Sequence, residues 1–342
     1  MKIAVDAMGG DYAPREIVAG TLLAAAACPE IDIILVGQVE KIKPYMTAQP
    51  ANVALLNASE AVEMDEHPAS AVRRKKDASI VVATRLVREG KADAVVSAGN
   101  TGAQMAAALL GLGRIQGIDR PAIIAVLPTL KGGKVVLDVG ANPDAKAENL
   151  LQYALMGSIY AEKILGLERP QVGLLNIGSE EGKGNELTQL AYPLLKQAPI
   201  HFAGNVEGRD IPYGRVDVVV CEGFVGNVLL KSFEGLVGAL FELIKEKITA
   251  NSLRKLGALA IKPGLKEIAK IMDYTEVGGA PLLGVNGISV ICHGSSNAKA
   301  ISNAVRVARE CVEVRLIEQI REDLRALGKP DSGEREDSSC PE

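Results

Sequence analysis

The sequence has no tryptophan, only four phenylalanines and only three histidines among its 342 residues. So few aromatic rings leave little surface on which nucleic-acid bases could stack, and the formal net charge of -4 provides no attraction to a phosphate backbone. We therefore set nucleic acid aside as a partner. Three histidines also offer few bases for a Ser-His-Asp or Cys-His arrangement, and no Gly-x-Ser-x-Gly motif is present. A covalent acyl-enzyme is not expected.

Cysteine and long apolar runs are scarce as well. The five cysteines form no Cys-x-x-Cys pair, which argues against a zinc site or a disulfide framework and fits a reducing compartment. No run reaches the ~20 apolar residues of a membrane span. The first apolar run contains Asp6 and does not resemble a signal peptide, so a cytoplasmic protein is predicted. Asp6, Asp11 and Asp138 show no clear metal-ligand spacing, so neither a metal nor a cofactor is predicted.

Six short apolar runs, each ending in a turn of Gly, Asn, Ser or Asp, dominate what is present. They occupy residues 3–11, 94–102, 135–142, 172–178, 216–223 and 288–294. A Val/Ile/Leu run bounded by glycine is typical of a strand buried on both faces, as in a parallel sheet. Ligands of such sheets bind at the carboxyl ends of the strands, where glycine-rich turns and helix N-termini attract anions. Any one turn could be an ordinary strand-to-helix connection, but six together predict a shared phosphate or oxyanion site.

Helical segments fill the gaps between these runs, and further strands are predicted at 31–37 and 53–57. The alternation predicts a three-layer α/β/α fold with a mostly parallel sheet, in one catalytic domain over residues 1–328. Lysines and arginines among leucines at about 240–283 predict a basic amphipathic helical hairpin. An anionic membrane, an acidic protein or a second copy of the chain could cover that hairpin. Residues 329–342 are polar and are predicted to be a disordered tail.

Two familiar phosphate motifs can be rejected. Residues 178–183 have one residue too few between their glycines for a P-loop, and Gly184 stands where Ser or Thr would bind magnesium. Residues 111–117 miss the dinucleotide-binding spacing by one and follow a predicted helix instead of a strand. The sequence therefore indicates neither a P-loop ATPase nor an ordinary nicotinamide-binding protein.

Polar side chains within the turns are the candidate site residues. Lys183 lies in a glycine-rich turn and could supply a positive charge to an oxyanion, although an exposed loop lysine would look the same. Asn227 begins a predicted helix, so its amide could either cap that helix or donate to a substrate carbonyl. His293 could belong to the turn alone or to the site. His201 lies in a strand-like run and His67 lies beside Pro68 at a predicted helix start, so both are interpreted as structural.

The motifs, in order, resemble those of a known family. They are Val5-Asp-Ala-Met-Gly-Gly-Asp-Tyr-Ala-Pro14, Ser97-Ala-Gly-Asn-Thr-Gly102, Leu137-Asp-Val-Gly-Ala-Asn142, Leu175-Asn-Ile-Gly178, Gly223-Phe-Val-Gly-Asn227 and His293-Gly294. They are similar to those of the bacterial phosphate acyltransferases of phospholipid synthesis, over residues 1 to about 325. The resemblance implies a fold like those of isocitrate and isopropylmalate dehydrogenases and of phosphotransacetylases. It also implies fatty acyl transfer from acyl carrier protein to inorganic phosphate, giving acyl phosphate.

The resemblance further implies a homodimer with transient contact to the inner membrane face and to the downstream membrane acyltransferase. We assign phosphate to the turns at 97–102 and 138–142, and transition-state charge to Lys183 and Asn227. The predicted substrate-binding residues are Asp6, Gly9, Gly10, Ser97, Gly99, Asn100, Thr101, Gly102, Asp138, Gly140, Asn142, Asn176, Gly178, Gly223, Gly226 and His293. Pro68 and Arg73 match the family, whereas His67 is not carried over as a base. The basic segment 73–76 and the hairpin are candidate docking surfaces for an acidic carrier protein.

Three alternatives remain open at this point. A phosphotransacetylase acting on a short acyl-CoA would share both fold and chemistry. A metal-dependent oxidative decarboxylase of the same fold is disfavoured, because neither an acid cluster nor a nicotinamide motif is evident. A membrane-associated scaffold acting through the basic hairpin could coexist with catalysis.

Overall fold

A computed structural model describes residues 1–272 and 278–327. Within these residues, eleven strands form a single sheet. The strands are β1 (Lys2–Asp6), β2 (Asp32–Gly37), β3 (Val53–Asn57), β4 (Ala94–Ser97), β5 (Ala122–Thr129), β6 (Gly132–Leu137), β7 (Gln171–Asn176), β8 (His201–Glu207), β9 (Val218–Val220), β10 (Ala280–Leu283) and β11 (Ile288–Ile291).

Helices connect most of these strands. They are α1 (Arg15–Ala27), α2 (Val39–Ile42), α3 (Pro68–Arg74), α4 (Ser79–Arg88), α5 (Thr101–Gly111), α6 (Ala147–Lys163), α7 (Glu186–Gln197), α8 (Gly223–Ile248), α9 (Ser252–Met272), α10 (Ala298–Glu313) and α11 (Leu316–Leu327). Two short 3-10 helices follow α2 and β8, at Lys43–Tyr45 and Gly208–Tyr213.

The strands are buried on both faces because helices cover both sides of the sheet. Successive side chains of a strand point to opposite faces. In β1, Ile3 and Val5 join a core that includes Ile17 of α1 and Ile301 of α10. Ala4, between them, faces a separate core. That second core is formed by residues of α4 and α5, including Ile80, Ala83, Ala103 and Ala107. The three-layer α/β/α architecture predicted from the sequence is confirmed.

The sheet has two parallel halves that run in opposite directions. Its strand order is β3-β2-β1-β4-β11-β10-β5-β6-β9-β7-β8. In this order the first five strands are mutually parallel, and so are the last four. Between the halves, β10 and β5 pair antiparallel with each other and with their outer neighbours. The antiparallel centre was not predicted.

The pairing register brings the carboxyl ends of both halves together. Ile291, at the end of β11, pairs with Ala280 of β10. Two residues further along β10, Leu282 pairs with Ile123 of β5. The next residue of β5 pairs with Leu137, at the end of β6. These two strand ends therefore lie within about one residue step of the same level, or ~3 Å along the strand direction. Turns from both halves meet at this junction.

The structure changes the limits of the predicted hairpin. Its first helix, α8, is continuous from Gly223, immediately after β9, instead of starting near residue 240. Residues 280–283 form strand β10 and are therefore part of the sheet. The sequence did not reveal the start of α8 or the start of β10, because apolar and basic residues continue almost without a break through both. In short apolar runs, helix and strand periodicities are hard to separate. The predicted tail at 329–342 lies outside the described residues.

Candidate active site

A cavity of about 980 Å³ lies at the junction of the two halves. Its polar end is formed by turns that follow β4, β6 and β11 and by the start of α8. These residues include Gly99, Thr101, Gly140, Asn227, His293 and Gly294. Its other end lies between β5 and the facing sides of α8 and α9 and is mostly apolar, although Lys231, Glu234, Lys266 and Lys270 also line the cavity. The cavity thus combines polar groups suited to a small anion with a long apolar wall.

The turns after β1 and β4 are fixed together by a buried carboxylate. The Ser97 hydroxyl donates to Asp6 at 2.7 Å and accepts from the Gly99 N–H at 3.1 Å. Burial raises the pKa of Asp6, and hydrogen bonds from Ser79, Ser97 and the backbone partly oppose that rise. A Cβ on Gly9 would lie 2.7 Å from the Gly99 nitrogen, so only glycine permits this approach. Asp6 and Ser97 therefore shape the floor of the site.

Asn100 shapes the first turn of α5. Its side-chain oxygen accepts from the Ala103 N–H at 3.0 Å, and its amide donates to the Met64 carbonyl at 3.0 Å. The first N–H groups of a helix have no intrahelical partner, which leaves those of Thr101 and Gly102 for a ligand. Thr101 lines the cavity. The N-terminus of α5 therefore offers donors and a partial positive charge to an anion.

The turn after β6 uses its own N–H groups internally. The Asp138 carboxylate accepts from the N–H groups of Gly140, Ala141 and Asn142 at 3.2, 2.9 and 2.7 Å. Burial raises the pKa of Asp138, although these bonds and one from Ile123 favour its charged form. This turn was predicted to bind phosphate, but the backbone N–H groups of Gly140 and Asn142 are already bonded to Asp138. Asn142 is buried beneath the turn.

The start of α8 packs tightly against this turn. A Cβ on Gly226 would overlap the Asp138 carbonyl oxygen, and one on Gly223 would lie 2.8 Å from the Asn142 nitrogen. The helix is capped by Glu222, whose carboxylate accepts from the N–H groups of its second and third residues at 2.6 and 2.8 Å. Asn227, which could have been that cap, instead lies in the helix and lines the cavity. Its amide is therefore available to a substrate.

His293 and Cys292 form the cavity wall at the end of β11. The Ser295 N–H approaches the Nδ1 atom of His293 at 3.2 Å, and the Ser295 hydroxyl lies 2.7 Å from it. A backbone N–H can only donate, so Nδ1 is an acceptor and the neutral ring carries its proton on Nε2. Burial raises the pKa of Cys292 to about 12. The wall thus offers one N–H donor from His293 and a thiol that stays protonated at neutral pH.

The loop after β7 lies apart from the cavity in the described chain. The Asn176 amide donates to the Lys183 carbonyl at 3.0 Å, and the Lys183 amine lies 3.9 Å from a carboxylate oxygen of Glu180. The Lys183 side chain is half exposed. Neither it nor Asn176 or Gly178 is among the residues that line the cavity. The catalytic role assigned to Lys183 stays a prediction.

Four other lysines line the cavity and were not predicted as site residues. They are Lys231, Lys266, Lys270 and Lys299. Lys231 belongs to α8, and Lys266 and Lys270 belong to α9, where a spacing of four residues places them on one helix face. That spacing was visible in the sequence, but which face points inward was not. Within residues 1–272 and 278–327, no group of three or more His, Cys, Asp or Glu could hold a metal ion.

Comparison with known proteins decides the family. A family model described as fatty acid synthesis protein matches residues 1–319. The chain belongs to this family. It is 73% identical to the phosphate acyltransferase of Desulfitobacterium hafniense strain DCB-2 over 327 residues, which cover 95% of this chain and 98% of that protein. It is 59% identical to the phosphate acyltransferase of Heliobacterium modesticaldum over 334 residues, which cover 96% and 99%.

The similarity to these relatives shows that the chain is an enzyme that transfers acyl groups to phosphate in fatty acid and phospholipid synthesis. Solved structures agree on the fold. A phosphotransacetylase from Streptococcus pyogenes aligns over 93% of this chain and 94% of its own, with a TM-score of 0.59 and 18% identity. The EutD phosphotransacetylase from Staphylococcus aureus aligns over 91% and 94%, with a TM-score of 0.58 and 17% identity. The predicted phosphotransacetylase-like fold is therefore confirmed.

One helix of the described chain, α8, is long and apolar enough to cross a membrane by length and composition alone. An 18-residue segment of this helix has a mean hydropathy of 1.4, and only 6% of that segment is buried. This helix also carries Asn227 and the apolar wall of the cavity. The apolar composition of α8 is thus partly explained by its position as a wall of the cavity.

Proposed function

We propose that this acyltransferase takes a fatty acyl group from the thioester of acyl carrier protein and transfers it directly to inorganic phosphate. A phosphate oxygen attacks the thioester carbonyl, a tetrahedral oxyanion forms, and the carbon–sulfur bond breaks to release the carrier thiolate. The products are acyl phosphate and free carrier protein. The observation that carries this proposal is one cavity with anion donors at one end and an apolar wall at the other.

In this proposal phosphate lies at the N-terminus of α5. Thr101 and Gly102 supply N–H donors there, and His293 supplies its Nε2–H from the turn after the neighbouring strand β11. Holding phosphate near the thioester converts a bimolecular reaction into a step within one complex, which lowers the barrier without covalent catalysis. The buried Asp6 and Asp138 keep the turns rigid, so the donors are already oriented when the substrates bind.

The Asn227 amide is the proposed donor to the thioester oxygen as it becomes an oxyanion. Removing one such donor typically lowers turnover by ~10²–10³-fold. Asn227→Ala should therefore reduce kcat by about 100-fold while KM for phosphate changes little.

Lys183→Ala provides the parallel measurement for the sequence-based assignment. If Lys183→Ala lowers turnover as much as Asn227→Ala does, the loop 177–185 takes part in catalysis, either in its own chain or in the site of a second copy. Unchanged turnover would confine catalysis to the cavity.

The carrier protein is proposed to dock beside the polar end of the cavity. Pro68, at the start of α3, lies against the start of α5, since a Cβ on Gly102 would be 2.7 Å from it. Arg73 and Arg74 follow on the same helix and are exposed. Lys75 instead pairs with Glu66 at 2.6 Å. An acidic carrier would be attracted to the exposed arginines and lysine of this segment.

The outer side of α8 is proposed to meet a second copy of the chain. Leu236, Leu240 and Leu243 are 70, 52 and 50% exposed and lie away from the cavity face. A contiguous apolar surface of this kind usually marks an interface. The adjacent lysines of α8 and α9 would then be free to approach an anionic membrane face transiently. Leu236→Asp/Leu240→Asp should convert the dimer to monomer in analytical ultracentrifugation, and a dimer that persists would exclude this interface.

The direct test of the proposed function is incubation with palmitoyl-acyl carrier protein, with and without phosphate, followed by trapping of acyl phosphate with hydroxylamine. We expect product only when phosphate is present. Palmitoyl-CoA at the same concentration is the matched donor and should react much more slowly. Faster release of CoA than of carrier protein would favour a phosphotransacetylase, and thioester cleavage that does not depend on phosphate would contradict the proposal.

A further inference from the structure

One face of α8 forms a wall that starts at the polar end of the cavity and runs along its apolar part. Residues at helical spacing share that face: Asn227, Leu230, Glu234, Val237, Gly238 and Phe241 all line the cavity. Ala125 and Leu127 of β5 line it as well, and α9 contributes Ala269 and Met272 together with Lys266 and Lys270. The cavity is therefore an elongated groove with the proposed oxyanion donor at one end.

The length of this wall matches a fatty acyl chain. Phe241 lies 14 residues after Asn227, which corresponds to about 21 Å along the helix at 1.5 Å per residue. The hydrocarbon core of a bilayer is ~30 Å thick, so one membrane acyl chain spans about 15 Å. A chain of that length, with its carbonyl carbon beside Asn227, would end close to the last turns of the wall before Phe241.

Gly238 lies at the depth where such a chain would end. It is 11 residues after Asn227, or about 16 Å along the helix. It lines the cavity, and no heavy atom of the described residues lies within 4 Å of the point where its Cβ would be. The groove is thus open at this position because the residue has no side chain.

We propose that the open space beside Gly238 holds the distal methylenes of the acyl chain and sets the longest chain that the enzyme accepts. This inference rests on the proposed function and adds to it the position of the chain and a residue that determines specificity. A side chain at this position would occupy the space of the last few methylenes. Shorter chains would end before reaching it and would bind as before.

The test is Gly238→Leu, with Gly235→Leu as its matched control. Gly235 is in the same helix and also has open space around its missing Cβ, but it does not line the cavity. Both substitutions replace glycine by a better helix former, so neither should weaken α8. Thermal unfolding and the oligomeric state of both variants would verify this before kinetics are compared.

The readout is kcat/KM for palmitoyl- and hexanoyl-acyl carrier protein with saturating phosphate. Each buried methylene contributes about fourfold to binding, so expelling three or more should cost palmitoyl transfer at least ~50-fold. Hexanoyl transfer by Gly238→Leu should stay within about threefold of the parent enzyme, and Gly235→Leu should change neither substrate. An unchanged palmitoyl-to-hexanoyl ratio in Gly238→Leu would overturn the inference. If the unsubstituted enzyme forms no acyl phosphate from either donor, it is the proposed function that fails.

Discussion

Asp138 shows how one side chain can define a turn of the site without binding the substrate. Its carboxylate is buried and receives three successive N–H groups of the turn that follows it, together with the Asn142 side-chain amide. A buried acceptor bonded in this way rigidifies the backbone around it. The adjacent Gly140 and Asn227 are consequently held at fixed positions in the cavity wall.

Replacing this carboxylate by an amide should destabilise the protein. In Asp138→Asn one acceptor oxygen becomes an NH2 group facing N–H donors, which leaves buried groups unpaired at a cost of about 2–4 kcal/mol. Urea unfolding measures this loss, and turnover should fall as well because the turn loosens. Asp93→Asn is the control, because that exposed carboxylate accepts one hydrogen bond, from the Lys2 N–H at 2.7 Å. Its free energy of unfolding should fall by less than about 1 kcal/mol. Equal losses in both variants would contradict this role of Asp138.

Cys292 should be dispensable for the reaction. A thiol with a pKa of about 12 stays protonated at lower pH, so at pH 7.5 fewer than ~1 in 10,000 molecules carry the thiolate nucleophile. Cys292→Ala should therefore retain turnover within about twofold, and its kcat should follow that of the parent enzyme from pH 7 to pH 9. A tenfold rise per pH unit in the parent enzyme that disappears in Cys292→Ala would instead indicate a thiolate nucleophile.

At the scale of elements, α1 and α10 pack at a glycine. A Cβ on Gly20 of α1 would lie 2.5 Å from the Ala298 carbonyl oxygen and 2.6 Å from the Ile301 Cβ. The two helices cover β1 and β4 on one face of the sheet, so their separation also fixes the turns that end in the cavity. Close packing of this kind tolerates no added volume.

Gly20→Val should therefore destabilise the protein by about 2 kcal/mol or more, because the helices must separate or distort. Gly257→Ala in α9 is the opposite case, since no heavy atom of the described chain lies within 4 Å of its missing Cβ. That change should stabilise the protein by about 0.5–1 kcal/mol through helix propensity. Chemical denaturation of both variants gives the comparison, and a neutral Gly20→Val would show that the contact yields easily.

The elements that the sequence predicted best are those with a local signal. All six apolar runs ending in glycine-rich turns are strands, as are the segments predicted at 31–37 and 53–57. Strand β5 and strand β10 were missed, and with them the antiparallel centre, because pairing direction depends on distant segments. Of β8, the sequence indicated only a strand-like run at His201. The cap of α8 was also missed. Asparagine is favoured over glutamate at helix N-termini, so Asn227 was a more obvious candidate than Glu222.

At the scale of the whole molecule, the site exists because two oppositely directed half-sheets end at the same level. The sequence predicted that turns would converge, and the turns after β4, β6 and β11 do line one cavity. It could not predict which N–H groups remain available, since that depends on how the Asp6 and Asp138 side chains fold back. It also could not show that Lys231, Lys266 and Lys270 face this cavity.

Docking of the carrier protein depends on the charge of the whole surface around the cavity. Arg73→Glu/Arg74→Glu should lower kcat/KM for acyl carrier protein by about 10-fold at low salt, and the difference should shrink as salt is added. Arg88→Glu/Lys91→Glu changes the same charge at the amino end of β4, away from the cavity, and should have little effect. Equal effects of the two pairs would show that only net charge matters.

Direct transfer is the central claim, and a single-turnover experiment tests it. The enzyme, in excess over radiolabelled palmitoyl-acyl carrier protein, is mixed rapidly without phosphate, quenched and analysed for label bound to the enzyme; phosphate is then added to a parallel sample. The account predicts no labelled enzyme at any time without phosphate and a single exponential appearance of labelled acyl phosphate once it is present. Label covalently attached to the enzyme before phosphate is added, and transferred to phosphate afterwards, would contradict it.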